Sequence, residues 1–186
     1  MQTALIIVAV VVLILLVWVV MTYNRLTRFR QHTRESWADI DVQMKRRYDL
    51  IPNLVEITKG YAKHERELLE RVVALRNQAA ANDGPESSQA ADESSLMLEL
   101  KRVFAVVEAY PDLKADQHFR SLQKELSLTE DRIAAARRFF NGNVREMTTL
   151  CQMFPSKLVA SMFGFPPRDY FELEDAAERV VPRVAM

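Results

Sequence analysis

Cysteine occurs once in the 186 residues, at Cys151. A lone thiol excludes an internal disulfide framework and fits a reducing compartment. Glycine is almost as scarce, with four residues: Gly60, Gly84, Gly142 and Gly164. So few breakers exclude a turn-rich β fold and favour long helices. Net charge is also lacking, because 25 cations balance 25 acids. That balance argues against nucleic acid as a partner, since such binders carry a strong basic field. The three histidines, His32, His64 and His118, are preceded three residues earlier by Phe29, Tyr61 and Ala115. None of these is a carboxylate, so the Glu-x-x-His pair of helical di-iron sites is missing. His64-Glu65 has no second histidine at the spacing a zinc site needs. No nucleophile elbow, phosphate-binding glycine loop or dinucleotide fingerprint occurs. Cys151 falls on a helical seam with Met147, Leu150 and Phe154 nearby, where a thiol acts as a small apolar filler. The expectation is a protein without catalytic residues, metal or cofactor, and not an enzyme.

One long hydrophobic run is present. Residues 4–21 read ALIIVAVVVLILLVWVVM, with no charge. About 20 apolar residues in a helix span a hydrocarbon core of ~30 Å. A cleaved signal peptide would carry a charged start, a shorter run and a small-residue cleavage site; none of these is seen. Arg25, Arg28, Arg30 and Arg34 follow the run, while only the α-amino group precedes it. By the positive-inside rule, the N-terminus lies outside and the rest is cytoplasmic. Tyr23, Arg25, Arg28 and Arg30 form the expected membrane-interface set. The arginines serve either as a topology signal alone or also as contacts to anionic lipid head groups. No G-x-x-x-G pattern marks the span as a tight dimerisation helix.

The remaining ~160 residues suit one domain of ordinary size, able to bury about two-thirds of its unfolded surface without staples. Neither glycine nor proline occurs before Pro52, so the membrane helix is free to run on. Leu26, Phe29, Trp37, Ile40, Met44, Tyr48 and Ile51 mark one helical face, with Thr33 filling one turn. Pro52 predicts a break with a change of direction, with Asp49 capping the next helix. The second stripe runs Ile51, Leu54, Thr58, Tyr61, Glu65, Leu68, Val72, Leu75, Ala79. Residues 82–95, NDGPESSQAADESS, read as a loop. A third stripe holds Leu96, Leu100, Val103, Val107 and Tyr110, and ends at Pro111. The fourth runs from Phe119 to Cys151 at near-heptad spacing through Leu122, Leu126, Thr129, Ile133, Phe140, Val144 and Met147. Ser156 caps a short helix to Met162, and a partly docked tail follows.

Four stripes that cannot bury themselves singly predict an all-α fold, an elongated antiparallel four-helix bundle behind a transmembrane helix. Helices of about 25–35 residues give a rod of roughly 40–50 Å. The expected division is an anchor over 1–24, a cytoplasmic bundle over 25–165 and a tail over 166–186. Two polar features stand out. Lys45-Arg46-Arg47 beside Asp49 is read as a solvated cationic face with a capping acid, in preference to an anion or acidic-partner site. Glu65, on an apolar stripe, is expected to reach the surface through a bend near Gly60.

Residues 44–65, MKRRYDLIPNLVEITKGYAKHE, closely resemble the bacterial LemA family. So do YNRLTRFRQHTRESWADIDVQ upstream, LKADQHFRSLQKELSLTEDRIAAARRFFN over 113–141 and FPSKLVASMFGF over 154–165. The resemblance covers nearly the whole chain. It implies a bacterial inner-membrane protein with a cytoplasmic antiparallel four-helix bundle and no established enzymatic activity. One branch of the family is associated with building magnetosome membranes. Phe140 stands where the family usually has tyrosine, and Met147-Thr148 where it often has Tyr-Asn. By the family's motif the site positions are Arg47, Tyr48, Asp49, Pro52, Asn53 and Glu56, as a partner-binding surface or a structural corner. The functional expectation is a single-pass scaffold or adaptor that presents its bundle to a membrane-associated protein partner. The alternative is a membrane-organising protein that assembles as a homo-oligomer. Membrane lipid is a partner in both.

Overall fold

The structure is a computed structural model, and it describes residues 1–172. Of the tail expected over 166–186, residues 173–186 lie outside the described residues. The described residues are helical, without strand. Helix α1 covers Gln2–Tyr61, and a single 3-10 turn follows at Lys63–Glu65. Then come α2 (Arg66–Ala81), α3 (Glu86–Val107), α4 (Pro111–Ala115), α5 (Gln117–Gln152) and α6 (Ser156–Met162). These elements contribute to two compact units, residues 1–38 with 138–168, and residues 39–137 with 169–172.

In the first unit the apolar run forms the N-terminal part of α1. Its large side chains from Leu5 to Val17 are 49–68 % exposed, and this helix is long and apolar enough to cross a bilayer. Past the run, α1 packs on the C-terminal part of α5 and on α6. Leu26, Met147, Leu150, Val159, Ala160 and Phe165 form a core, with Trp18, Val19, Phe29 and Cys151 against it. Trp37 meets Phe140 with ring centroids 5.3 Å apart. Thr33 and Ser36 are buried on this face, and their hydroxyls donate back to the carbonyls of Phe29 (2.8 Å) and His32 (2.7 Å). This back-bonding satisfies the hydroxyls within α1, and Asn143 of α5 also donates to Ser36 Oγ at 3.3 Å. Gly164 ends α6 with φ +66°. That left-handed turn lets the Phe165 amide donate to the Ala160 carbonyl at 3.0 Å and returns the Phe165 ring beneath the helix.

In the second unit, residues 39–61 of α1, α2, α3 and residues 117–137 of α5 each bury an apolar stripe. Ile40, Met44, Ile51 and Leu54 come from α1, Leu69 and Val72 from α2, Leu96, Leu100 and Val103 from α3, and Leu122, Leu126 and Ile133 from α5. Asp116 caps α5, accepting the Phe119 amide at 2.9 Å. That hydrogen bond, first among the causes, holds the Asp116 carboxyl below its ordinary value.

Three expectations are corrected here. The first concerns Pro52, which does not break the chain; it sits exposed inside α1. An interior proline withholds one N–H from the carbonyl four residues back, here that of Tyr48. Arg76 of α2 supplies the missing donor, its Nε giving a hydrogen bond to the Tyr48 carbonyl at 3.0 Å. Asp49 is therefore mid-helix and caps nothing. The reversal comes later, at Ala62 and the 3-10 turn, and leaves Glu65 half-buried at the start of α2.

The second concerns 82–95. The turn is only residues 82–85, and α3 starts at Glu86. The Asn82 side chain folds over this turn, its Oδ1 accepting the Gly84 amide at 2.8 Å. The serines that read as loop are satisfied inside the helix: Ser94 donates to the Ala90 carbonyl at 2.8 Å and Ser95 to Ala91 at 3.1 Å. The third concerns Ser156, whose hydroxyl donates backward to Leu150 and Met153 carbonyls, while Pro155 holds the cap position of α6.

Arg76→Ala should lower unfolding free energy by about 1–2 kcal/mol, as for a charged donor to a carbonyl. Beside Pro52→Ala the loss should be clearly smaller, since residue 52 then supplies its own N–H. Urea melts of the four chains, followed by circular dichroism, measure that coupling. Equal losses in both backgrounds would show the two residues to be independent.

Candidate functional site

The residues singled out at 47–56 divide between two faces of α1. Arg47 and Tyr48 are buried, at 2 % and 6 % exposure. Asp49, Pro52, Asn53 and Glu56 are exposed.

The buried half forms a polar cluster. Arg47 makes an ion pair with Glu93 of α3, and both side chains are 2 % exposed. Its Nη1 also donates to Glu130 of α5 at 2.7 Å and lies 3.0 Å from the sulfur of Met97. The Tyr48 hydroxyl donates to the other oxygen of Glu93. Burial pushes the Arg47 guanidinium below its ordinary value, and Glu130 opposes the shift. An arginine remains protonated even so, and the two carboxylates supply its countercharge. Burial likewise drives the Tyr48 phenol up to about 12, against the pull of Arg47. The expected solvated cationic face is therefore wrong for Arg47, though Lys45 and Arg46 are exposed. Arg46 reaches Glu125 at 2.6 Å, and Lys45 pairs with Asp41 at 2.7 Å.

Glu93 is the partner that sequence reading missed, because it lay in the supposed loop. The signal was present: Ala90, Glu93, Leu96 and Leu100 share one helical face, and all four are buried. A second buried acid, Glu99, is met by Arg102 at 2.5 Å and by Arg71 at 3.6 Å.

The exposed half borders an open groove between α1 and α2. Ile51, Pro52, Val55, Glu56 and Lys59 line one side, and Val73, Arg76 and Asn77 the other. Asp49 faces Arg76 at 4.0 Å, its side chain 81 % exposed. Glu56, Lys59 and Arg76 give the groove charge of both signs beside apolar Ile51, Pro52, Val55 and Val73.

In the first unit the interface set is arranged around aromatic rings. Tyr23 contacts Phe163 and Phe165 edge-on, with centroids 4.9 and 5.6 Å away. The Arg30 guanidinium stands 4.9 Å over the Phe165 ring, and Arg25 stands 5.9 Å over Phe29. Arg28 is exposed. Cys151 is half-buried, 3.4 Å from the Phe165 carbonyl, and burial raises its thiol above the ordinary value. A thiol kept protonated is a poor nucleophile.

These features define an all-helical protein with one N-terminal helix apolar enough for a bilayer. A family model described as the LemA family matches residues 36–186, and the chain belongs to that family. Among its relatives, magnetosome protein MamQ of Magnetospirillum gryphiswaldense is 24 % identical over 183 residues, covering 85 % of this chain and 67 % of the relative. Magnetosome protein MamQ 2 of Paramagnetospirillum magneticum is 23 % identical with the same coverage. Protein LemA of Metamycoplasma hominis is 26 % identical over 118 residues, 63 % of this chain and 54 % of the relative.

Removing one member of the buried pair takes from the other its fully buried counterion. Arg47→Ala or Glu93→Ala should each cost about 3–5 kcal/mol, whereas Arg47→Met with Glu93→Leu should recover much of the loss. Chemical denaturation of the three variants tests this. Tyr48 adds a pH signature. Its native pKa lies above that of the unfolded phenol, so its contribution is complete below pH ~10 and is lost as pH rises through about 12. Stability of the native sequence should fall more steeply above pH ~10 than that of Tyr48→Phe, by about 2–3 kcal/mol in total. Parallel slopes would refute it.

Proposed function

We propose that this protein is a membrane-anchored helical scaffold, held in a bilayer by α1 and presenting its helical domain to a protein partner at the membrane. The observation that carries this reading is the exposed apolar run of α1. Large aliphatic side chains that stand half or more open to solvent need lipid or protein to cover them, and their length matches a bilayer. The run continues, without interruption of the helix, into the residues of the domain.

By the positive-inside rule, the arginines after the run support a domain on the cytoplasmic side of a bacterial inner membrane. The domain itself is an antiparallel four-helix bundle, built from the continuation of α1 with α2, α3 and α5. Its partner surface is the exposed face of α1 beside the groove, where Asp49, Asn53 and Glu56 offer polar contacts near Pro52. No residue set in this reading performs chemistry, and the protein is not an enzyme. A second reading rests on the relatives named as magnetosome proteins. Under it the protein organises membrane by assembling with copies of itself.

Two measurements test the scaffold reading. A C-terminal fusion to green fluorescent protein should fluoresce in intact bacteria, and one to alkaline phosphatase should be inactive; the reverse pattern would refute the topology. A photocrosslinking residue at Asn53 should trap one defined membrane-fraction protein, absent when the same residue sits at exposed Arg102. Trapping only a second copy of this chain favours assembly instead.

A further inference from the structure

The short helix α6 is apolar on both sides. Val159 and Ala160 face the core of the first unit and are nearly fully buried. On the other side Leu158 and Met162, one turn apart, are 59 % and 76 % exposed. Phe154, just before the helix, is 81 % exposed, and Phe163, just after it, 46 %. In water, this cluster of large apolar side chains has no cover.

The neighbours of α6 fix its level along α1. The core to which it belongs includes contacts with Trp18 and Val19, which lie inside the apolar run ending at Met21. Phe163 and Phe165 meet Tyr23, two residues past that end. At 1.5 Å per residue, Trp18 lies roughly 5 Å inside the end of the run. Helices that lie in a membrane interface bury their apolar face by about 5–10 Å. The charge pattern agrees: no acid occurs between Glu146 and Asp169, while exposed Lys157 lies beside Leu158.

We infer that α6 and its flanking phenylalanines form a second membrane contact, dipping Phe154, Leu158, Met162 and Phe163 into the anionic leaflet surface around α1. The occupant of this face is lipid. The contact rests on the reading of α1 as a membrane span, since that span sets the depth. Two contacts from one packed unit hold α1 at a set rotation in the bilayer, which a lone helix does not achieve.

The test uses the full-length chain carrying Cys151→Ala, reconstituted in phosphatidylcholine vesicles with a minority of phosphatidylglycerol. Single nitroxide labels are placed at Leu158, Met162, Leu13 and Val42. Their collision rates with oxygen, which concentrates in lipid, are compared with those for a water-soluble nickel chelate. The ratio at Leu158 and Met162 should exceed that at aqueous Val42 severalfold and stay below that at Leu13. A Val42-like ratio at both positions, with Leu13 deep, overturns the contact and leaves the span standing. Shielding of both labels from both relaxers means a protein-covered face and also overturns it. A water-exposed Leu13 removes the span reading and the contact with it.

Discussion

A guanidinium taken out of water loses several kcal/mol of solvation, and only opposed charge and hydrogen bonds in the right places restore it. Arg47 imposes that constraint on the second unit. Its two carboxylate partners come from different helices, Glu93 on α3 and Glu130 on α5, and Tyr48 on α1 satisfies the remaining oxygen of Glu93. Apolar stripes alone permit helices to slide by a turn with modest loss. A buried cation does not, because a slip of one residue would leave charge unpaired. The cluster therefore selects the register in which α1, α3 and α5 meet. The hydrogen bond from Arg76 to the Tyr48 carbonyl, which Pro52 leaves without its helical donor, does the same for α2.

How much of this was legible from sequence follows from how far each signal is local. Apolar spacing at threes and fours is local, and it located the buried faces of α1, α3 and α5 well; Ile40, Leu100, Ile133 and Phe140 are all buried where the stripes placed them. Pro52 misled because its cost as a breaker depends on a residue 24 positions away supplying a donor. Residues 86–95 misled because serine is an equivocal residue, able to bond within a helix or to a turn. That error concealed Glu93 and turned Arg47 into a surface residue. The exposed half of the candidate site, Asp49, Pro52, Asn53 and Glu56, was named by family pattern, and its separation from Arg47 and Tyr48 needed the helix phase on both sides of Pro52.

Toward the N-terminus, aromatic and basic residues after the apolar run make contacts within the first unit. Tyr23 and Arg30 are occupied by Phe163 and Phe165, so neither is simply a floating anchor. Gly164 makes that possible by turning the backbone through a conformation other residues resist. The family-departing Phe140 packs on Trp37 and is fully buried, a setting in which a phenol oxygen would need a partner.

The buried arginine also bears on how the protein is made. Arg47 leaves the ribosome 83 residues before Glu130, which at about 5–20 residues per second is a delay of roughly 4–17 s. Throughout that interval the nascent chain has its apolar helix ready for insertion and its future core cation without a full set of counterions. Hydration must hold Arg47 until the later helices arrive, so this stretch of α1 is among the last to reach its final state. Early translation thus yields a polypeptide whose first helix is complete before its core cation has all its partners.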